Sequence, residues 1–163
     1  MMEFTLVFLP FLAMATVLLD TCWAVFTKCT LQYAVRVGVR TGITLTASQT
    51  SNLTSTVKSI VQQNSFGILK NTNLIQVHYL QPPATNSNGA VTDVSTVTTA
   101  SNPGNSPGNI MVVSINNYAL NSLVVRIYNW RSTDSSAGTI SVSSADLIEP
   151  MSKEQIPPIG TAP

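Results

Sequence analysis

The sequence predicts an α+β chain: a long N-terminal helix, hydrophobic and then amphipathic, with a second short helix packed on a small antiparallel sheet of about four strands. Two observations carry most of this expectation. From Phe4 to Leu19 the chain reads FTLVFLPFLAMATVLL, with no charge and nothing more polar than threonine, set between Glu3 and Asp20. Beyond Thr41 it turns to Ser, Thr and Asn with short Val/Ile runs that alternate, the pattern of strands buried on one face.

The apolar run continues through Thr21, Cys22, Trp23, Ala24, Val25 and Phe26 before Lys28 ends it. A bilayer core needs about 20 apolar residues in a helix, so this stretch suits a membrane or an equally apolar surround. A cleaved secretory signal has a basic start and a short apolar region. Here no Lys or Arg precedes Lys28, and Glu3 and Pro10 sit in the run. Leu31, Ala34, Val35, Gly38, Val39 and Gly42 then recur at spacings of three and four, with Arg36 and Arg40 on the opposite face. The expectation is one helix from Glu3 to Leu45, about 60 Å long. Lys28, Arg36 and Arg40 after a span argue for a cytoplasmic C-terminal side, whereas the Ser/Thr/Asn-rich remainder looks extracytoplasmic. A basic leader removed from ahead of Met1 would reconcile the two.

Ser51 or Asn52 is placed to cap a second helix, with Leu53, Val57, Ile60 and Val61 on one face and Gly67 as its stop. Leu74–Leu80, Asn109–Tyr118, Ser122–Trp130 and Thr139–Ile148 read as strands, and their short connections favour antiparallel pairing. The domain expectation is a stem over 1–47, a head over 48–150 with a loop insertion at 81–108, and a tail over 151–163. The insertion is rich in Pro, Ser, Thr, Asn and Gly, and Val91–Ala100 within it reads as an edge strand or a surface segment. Asn52-Leu53-Thr54 is a glycosylation sequon. Asn52, Ser95, Thr96, Thr98 and Thr99 are therefore the candidate glycan or surface-contact positions. The proline-containing tail is expected to be extended, either mobile or packed on a neighbour.

Composition narrows the function classes. Charged residues are 9% of the chain and the net charge is +1, against roughly 25% charged in ordinary soluble domains. Neither nucleic acid nor an acidic surface is suggested as a partner. The sequence has no nucleophile elbow, no Gly-rich phosphate loop and no His/Glu set at metal spacing. The expectation is a protein that is not an enzyme and carries no cofactor, with His78, the sole histidine, as a strand side chain. Cys22 and Cys29 lie seven apart on one helix face, about 10 Å between Cα atoms, too far for an intrachain disulfide. They read as small buried helix-packing residues, with an intersubunit disulfide as the alternative.

Glu3 followed by Phe4, Pro10 early in the apolar run, Asp20 near its end, and then Leu31, Gln32, Ala34, Arg36, Gly38 and Arg40 form a longer pattern. The segment Glu3–Thr44 resembles the N-terminus of TadE-like pseudopilins, relatives of the type IV pilins, and Gly138–Pro150 resembles the family's last strand. Two residues precede Glu3 where the family has about four. The resemblance implies that Glu3 pairs with the free α-amine of a neighbouring subunit and sets its axial register. Read from the residues alone, it is an interfacial acid near a helix N-terminus. Asp20 needs a partner, such as Lys28 of a neighbouring helix or a threonine hydroxyl; otherwise it marks a membrane boundary, with Trp23 as interfacial anchor. The subunit-assembly candidates are Glu3, Phe4, Pro10, Asp20, Lys28, Arg36, Gly38 and Arg40.

Three functions are then expected in order. The first is a structural subunit of an extracellular pilus-like filament, its stem helices forming the core. The second is a minor TadE-like pseudopilin that primes or tips a Tad-type pilus. The third is a single-pass anchored extracytoplasmic binding domain. For the first two, the partners are other copies of the chain in a helical homopolymer, inner-membrane lipid before assembly, a prepilin peptidase and the pilus assembly machinery. The location is the bacterial inner membrane and then the cell-surface filament.

Overall fold

The computed structural model describes residues 2–83, 91–96, 104–120, 138–149 and 155–159. Helix α1 runs unbroken over Met2–Thr44, 43 residues, or about 65 Å. Pro10 lies inside it. Three threonines of the apolar stretch turn their hydroxyls back on the helix, whereas the buried Thr27 Oγ1 has no hydrogen-bond partner. Thr16 Oγ1 donates to Ala13 O at 2.8 Å, Thr21 Oγ1 to Val17 O at 2.9 Å and Thr30 Oγ1 to Phe26 O at 2.8 Å. These hydroxyls are thereby satisfied within the helix and do not face an apolar surround unpaired.

Helix α2, Leu53–Gln63, starts where the capping signal predicts. Asn52 Oδ1 accepts from Ser55 N at 3.0 Å, satisfying one of the four amides that a helix N-terminus leaves free. Two more are satisfied from an unexpected quarter: Leu53 N donates to Pro158 O at 2.9 Å and Thr54 N to Ile159 O at 3.1 Å. The segment 155–159 therefore packs on its own head, with Ile159 buried. This corrects the expectation of a tail that is mobile or lodged on a neighbour. After Asn64 closes α2, Phe66 and Gly67 take positive φ of 51° and 79° and turn the chain back. Gly67 fits there because it lacks the Cβ that opposes such a φ.

The sheet has the order β2-β1-β3-β4, with β1 at Ile75–Gln81, β2 at Thr92–Asp93, β3 at Ile110–Ala119 and β4 at Thr139–Leu147. All its pairings are antiparallel. The expected strands 74–80, 109–118 and 139–148 are present within a residue at either end. The expected strand Ser122–Trp130 lies outside the described residues, and Thr92–Asp93 completes the four as an edge strand. Between Ile115↔Val142 and Tyr118↔Ile140 the register slips in a bulge. Asn117 supplies it with φ of 56°, and its amide donates to Ser141 Oγ at 3.2 Å.

Strand alternation explains the layering. Ile75, Val77 and Tyr79 of β1, Met111, Val113 and Ile115 of β3, and Ile140 and Val142 of β4 are buried, all on the face covered by the helices. Gln76, Ser141 and Ser143 on the other face are exposed, as in an antiparallel sheet covered on one side. The core closes with Leu31, Ala34, Val35, Val39 and Ile43 of α1 and Leu53, Val57 and Val61 of α2. The hydrophobic core thus crosses the boundary drawn at residue 47: the second half of α1 belongs to the head.

Candidate assembly site on the stem helix

One half of α1 is enclosed by the head and the other half is bare. Phe4, Val7, Phe8, Leu9, Phe11, Leu12, Met14, Val17, Leu18, Leu19, Trp23, Val25 and Phe26 are all exposed large hydrophobic residues. Burial starts at Thr27 and becomes complete at Leu31. The change tracks the sequence: up to Phe26 apolar residues occupy every face, and from Leu31 polar and charged residues enter the outer face, beside the exposed Tyr33, while the stripe predicted above is buried. Phe4 and Phe8 stack with ring centroids 5.6 Å apart, and Trp23 lies 5.7 Å from Phe26. These i,i+4 and i,i+3 pairs stiffen the apolar half. So large an apolar surface far exceeds what a soluble monomer normally exposes and marks an interaction site. The helix is long and apolar enough to cross a membrane.

The predicted assembly residues divide. Phe4 and Pro10 lie on the exposed half, and Lys28, Arg36 and Arg40 are exposed farther along. Glu3 lies in the first turn of the helix. Asp20 is partly buried and has an interaction partner. Gly38 is the correction. It sits at the crossing of α1 and α2, where a Cβ would run into Val61 Cγ2, so it serves packing within the chain and is closed to a neighbour. Gly42, a turn later, has the same role, its would-be Cβ 2.8 Å from both Met111 Sδ and Val57 Cγ2. Cys22 and Cys29, expected to be buried helix-packing residues, are exposed free thiols in this chain.

The glycan and surface candidates also divide. Asn52 uses its side-chain oxygen to cap α2, and Thr54, the sequon hydroxyl, is buried. Ser95 is buried too, which removes it as a surface position. Its Oγ accepts from Tyr79 N at 2.9 Å and donates to Asp93 Oδ1, while its amide donates to the same oxygen at 2.9 Å. His78 Nδ1 lies 3.1 Å from the other oxygen of Asp93. The Ser95 hydroxyl, followed by its amide and His78, holds the Asp93 carboxyl below the usual carboxylate range. Ser, Asp and His meet here, but both Ser95 and His78 bond to the acid and neither bonds to the other, so no base is poised on the hydroxyl. The cluster pins the edge strand β2 to β1. Thr96 is exposed; Thr98 and Thr99 lie outside the described residues.

Sequence reasoning missed this pin, because the partners are up to 16 positions apart and no periodicity links them. It also missed Asn105, whose Nδ2 donates to Pro157 O at 2.6 Å and ties the end of the insertion to the tail segment. Among the described residues no three His, Cys, Asp or Glu side chains converge to hold a metal ion.

Neither curated proteins nor solved structures give a match to the chain. Residues 1–40 match the family model described as TadE-like protein, so the stem is similar to that family over about a quarter of the chain, and its helix is a candidate membrane anchor.

Proposed function

We propose that this chain is a structural subunit of an extracellular pilus-like filament, held in the inner membrane by the apolar half of α1 and then packed by that half into the filament core. The observation that carries the reading is the division of one unbroken helix between a bare apolar half and a half embedded in the head. A simple tether needs only the first half. Rigid continuity into the head fixes how each head sits on its stem, which a regular polymer requires. Outside lipid the bare half gains about 25 cal/mol for each Å² withdrawn from water, and identical stems supply that cover. A contact repeated with an offset makes an open filament rather than a closed ring.

The chemistry of this role is non-covalent and non-catalytic. Glu3 would meet the α-amine of a neighbour after a prepilin peptidase removes the leader, and a carboxylate in so apolar a place needs such a partner. Filaments sheared from cells and analysed by negative-stain electron microscopy and mass spectrometry test the reading. It expects this chain as the bulk component and fewer filaments from Glu3→Ala, with membrane insertion kept. A chain found in trace amounts, with filaments built of another protein, would instead favour a minor subunit that primes or tips the pilus. The TadE-like match supports that second reading equally well.

A further inference from the structure

The head begins where the bare half of α1 ends, with no spacer between them. Phe26 is half exposed and Thr27 is buried, a step of about 1.5 Å along the axis. Thr27 and Leu31 lie within about 20° of Gly38 around the helix, and all three are buried. The head therefore reaches down to Thr27 on the side where α2 packs. A bilayer core takes up about 20 residues of helix, and the headgroup layer beyond it is about 5–7 Å deep. With residues 4–23 in the core, residues 24–28 cross the headgroup layer, and the base of the head meets it.

The contacts of α1 show what lies at that base. Gly38 meets Val61, whereas Gly42, a turn later, meets Val57 and Met111, so α2 runs back toward the bare half. The turn over 65–70 follows α2 and stands at the same end. Tyr118, near the end of β3, donates from its hydroxyl to Ile68 O at 3.5 Å, and Gln62 Nε2 donates to Lys70 O at 3.0 Å. Phe66 in this turn is 77% exposed, the most of any described large hydrophobic residue. Its φ of 51° is a conformation that bulky residues rarely take.

Charge is divided between the two ends of the head. Lys28 and Lys70 are exposed toward the bare half, and neither forms an ion pair among the described residues. The described acids of the head stand at the far end: Asp93 opposite Leu80, Asp146 opposite Met111, and Glu149 just past β4.

We propose that the base of the head is a docking surface for anionic phospholipid, with Phe66 entering the headgroup layer and Lys28 and Lys70 meeting lipid phosphates. The proposal rests on the membrane-held stage of the function above and adds a second contact to that of α1. The tilt and rotation of a spanning helix are set by such interfacial anchors, and a tilt of about 20° toward α2, usual for such helices, lowers the turn onto the lipid. Because α1 already holds the head at the surface, the encounter is intramolecular and weak contacts are populated. The acids at the far end keep negative charge off the lipid.

The test is amide hydrogen exchange, read by mass spectrometry, of the full-length chain in phosphatidylglycerol nanodiscs, phosphatidylcholine nanodiscs and detergent micelles. Exchange over 65–70 should be on the order of tenfold slower in phosphatidylglycerol than in the other two, with 92–96 unchanged. Lys70→Gln should remove about fivefold of that protection. Phe66→Asn, whose new side chain accepts the positive φ, strips the ring while keeping the turn and should also weaken the protection. Equal exchange in all three surrounds would overturn the docking, and equal protection in the two lipids would overturn the anionic preference. Protection in micelles that grows with protein concentration would assign the turn to a second copy and overturn the proposal. A chain that neither nanodisc retains would defeat the membrane-held stage itself, a failure distinct from loss of the docking.

Discussion

Replacing Gly38 by alanine tests the packing of stem on head, because two effects of opposite sign meet there. Glycine inside a helix is less favourable than alanine by about 1 kcal/mol, so helix propensity alone predicts that Gly38→Ala stabilises the chain. The structure predicts the reverse. The added methyl would meet Val61 Cγ2, and Val57 Cγ1 is 3.8 Å away. Val61 is fully buried, and a β-branched side chain in a helix is held in one rotamer, so it cannot swing aside. Helix α2 has to move off α1. Overpacking of this kind costs about 1–3 kcal/mol, which leaves a net loss of about 1 kcal/mol once the propensity gain is subtracted. A loss of that size lowers Tm by roughly 3–6 °C in a domain of this length. The assay is thermal unfolding of the full chain in detergent micelles, followed by near-ultraviolet circular dichroism, with Val61→Ala and the double variant measured alongside. Val61→Ala removes the obstructing methyls, so in the Gly38→Ala background it should cost about 1 kcal/mol less than in the native chain. A Tm for Gly38→Ala equal to or above the native value, with additive double-variant behaviour, would refute the close crossing.

Three further outcomes are expected. The Tyr79 hydroxyl is buried beside that of Thr54 without the geometry of a full hydrogen bond, and burial pushes its pKa up to about 12. Stability should therefore be unaffected by this group below about pH 10, where unfolded tyrosine titrates, and fall as pH rises toward 12. Tyr79→Phe should flatten that alkaline limb and cost little at neutral pH, as pH-dependent urea unfolding will show. Asp93 behaves with the opposite sign: its folded carboxyl is held low, so its contribution is present above about pH 4 and fades as pH falls through the folded value. Asp93→Asn should weaken that acid dependence slightly, since the carboxyl is half exposed and solvent screens it. Asn52→Ala removes the α2 cap and should cost about 1 kcal/mol, whereas Asn52→Ser should cost far less; thermal melts compare the two.

What was legible in the sequence is what periodicity carries. The stripe of Leu31, Ala34, Val35 and Val39 named both the helix and the face that it buries, and alternation in 74–80, 109–118 and 139–148 named three strands to within a residue. Capping chemistry placed the start of α2 at Ser51 or Asn52, and the structure uses Asn52. Features resting on distant partners escaped. Nothing local in Gln155–Ile159 says that its carbonyls will cap α2, because a carbonyl looks the same at every position. Ser95 reads as one more hydroxyl in a polar loop until Tyr79 N and Asp93 close around it. Gly38 shows the same limit from the other side: its place on the helix face was readable, but whether the chain's own α2 or a neighbour filled the space was not.

The central claim is that the apolar half of α1 leaves lipid for the company of identical stems. Helical reconstruction by cryo-electron microscopy of filaments sheared from cells, at a resolution that separates helices, addresses it most directly. The account predicts a bundle of α1 helices at the axis, residues 4–26 of each touching those of its neighbours and the β-sheets ranged outside. Filaments held together by head-to-head contacts, with the stems splayed or still wrapped in lipid, would contradict it.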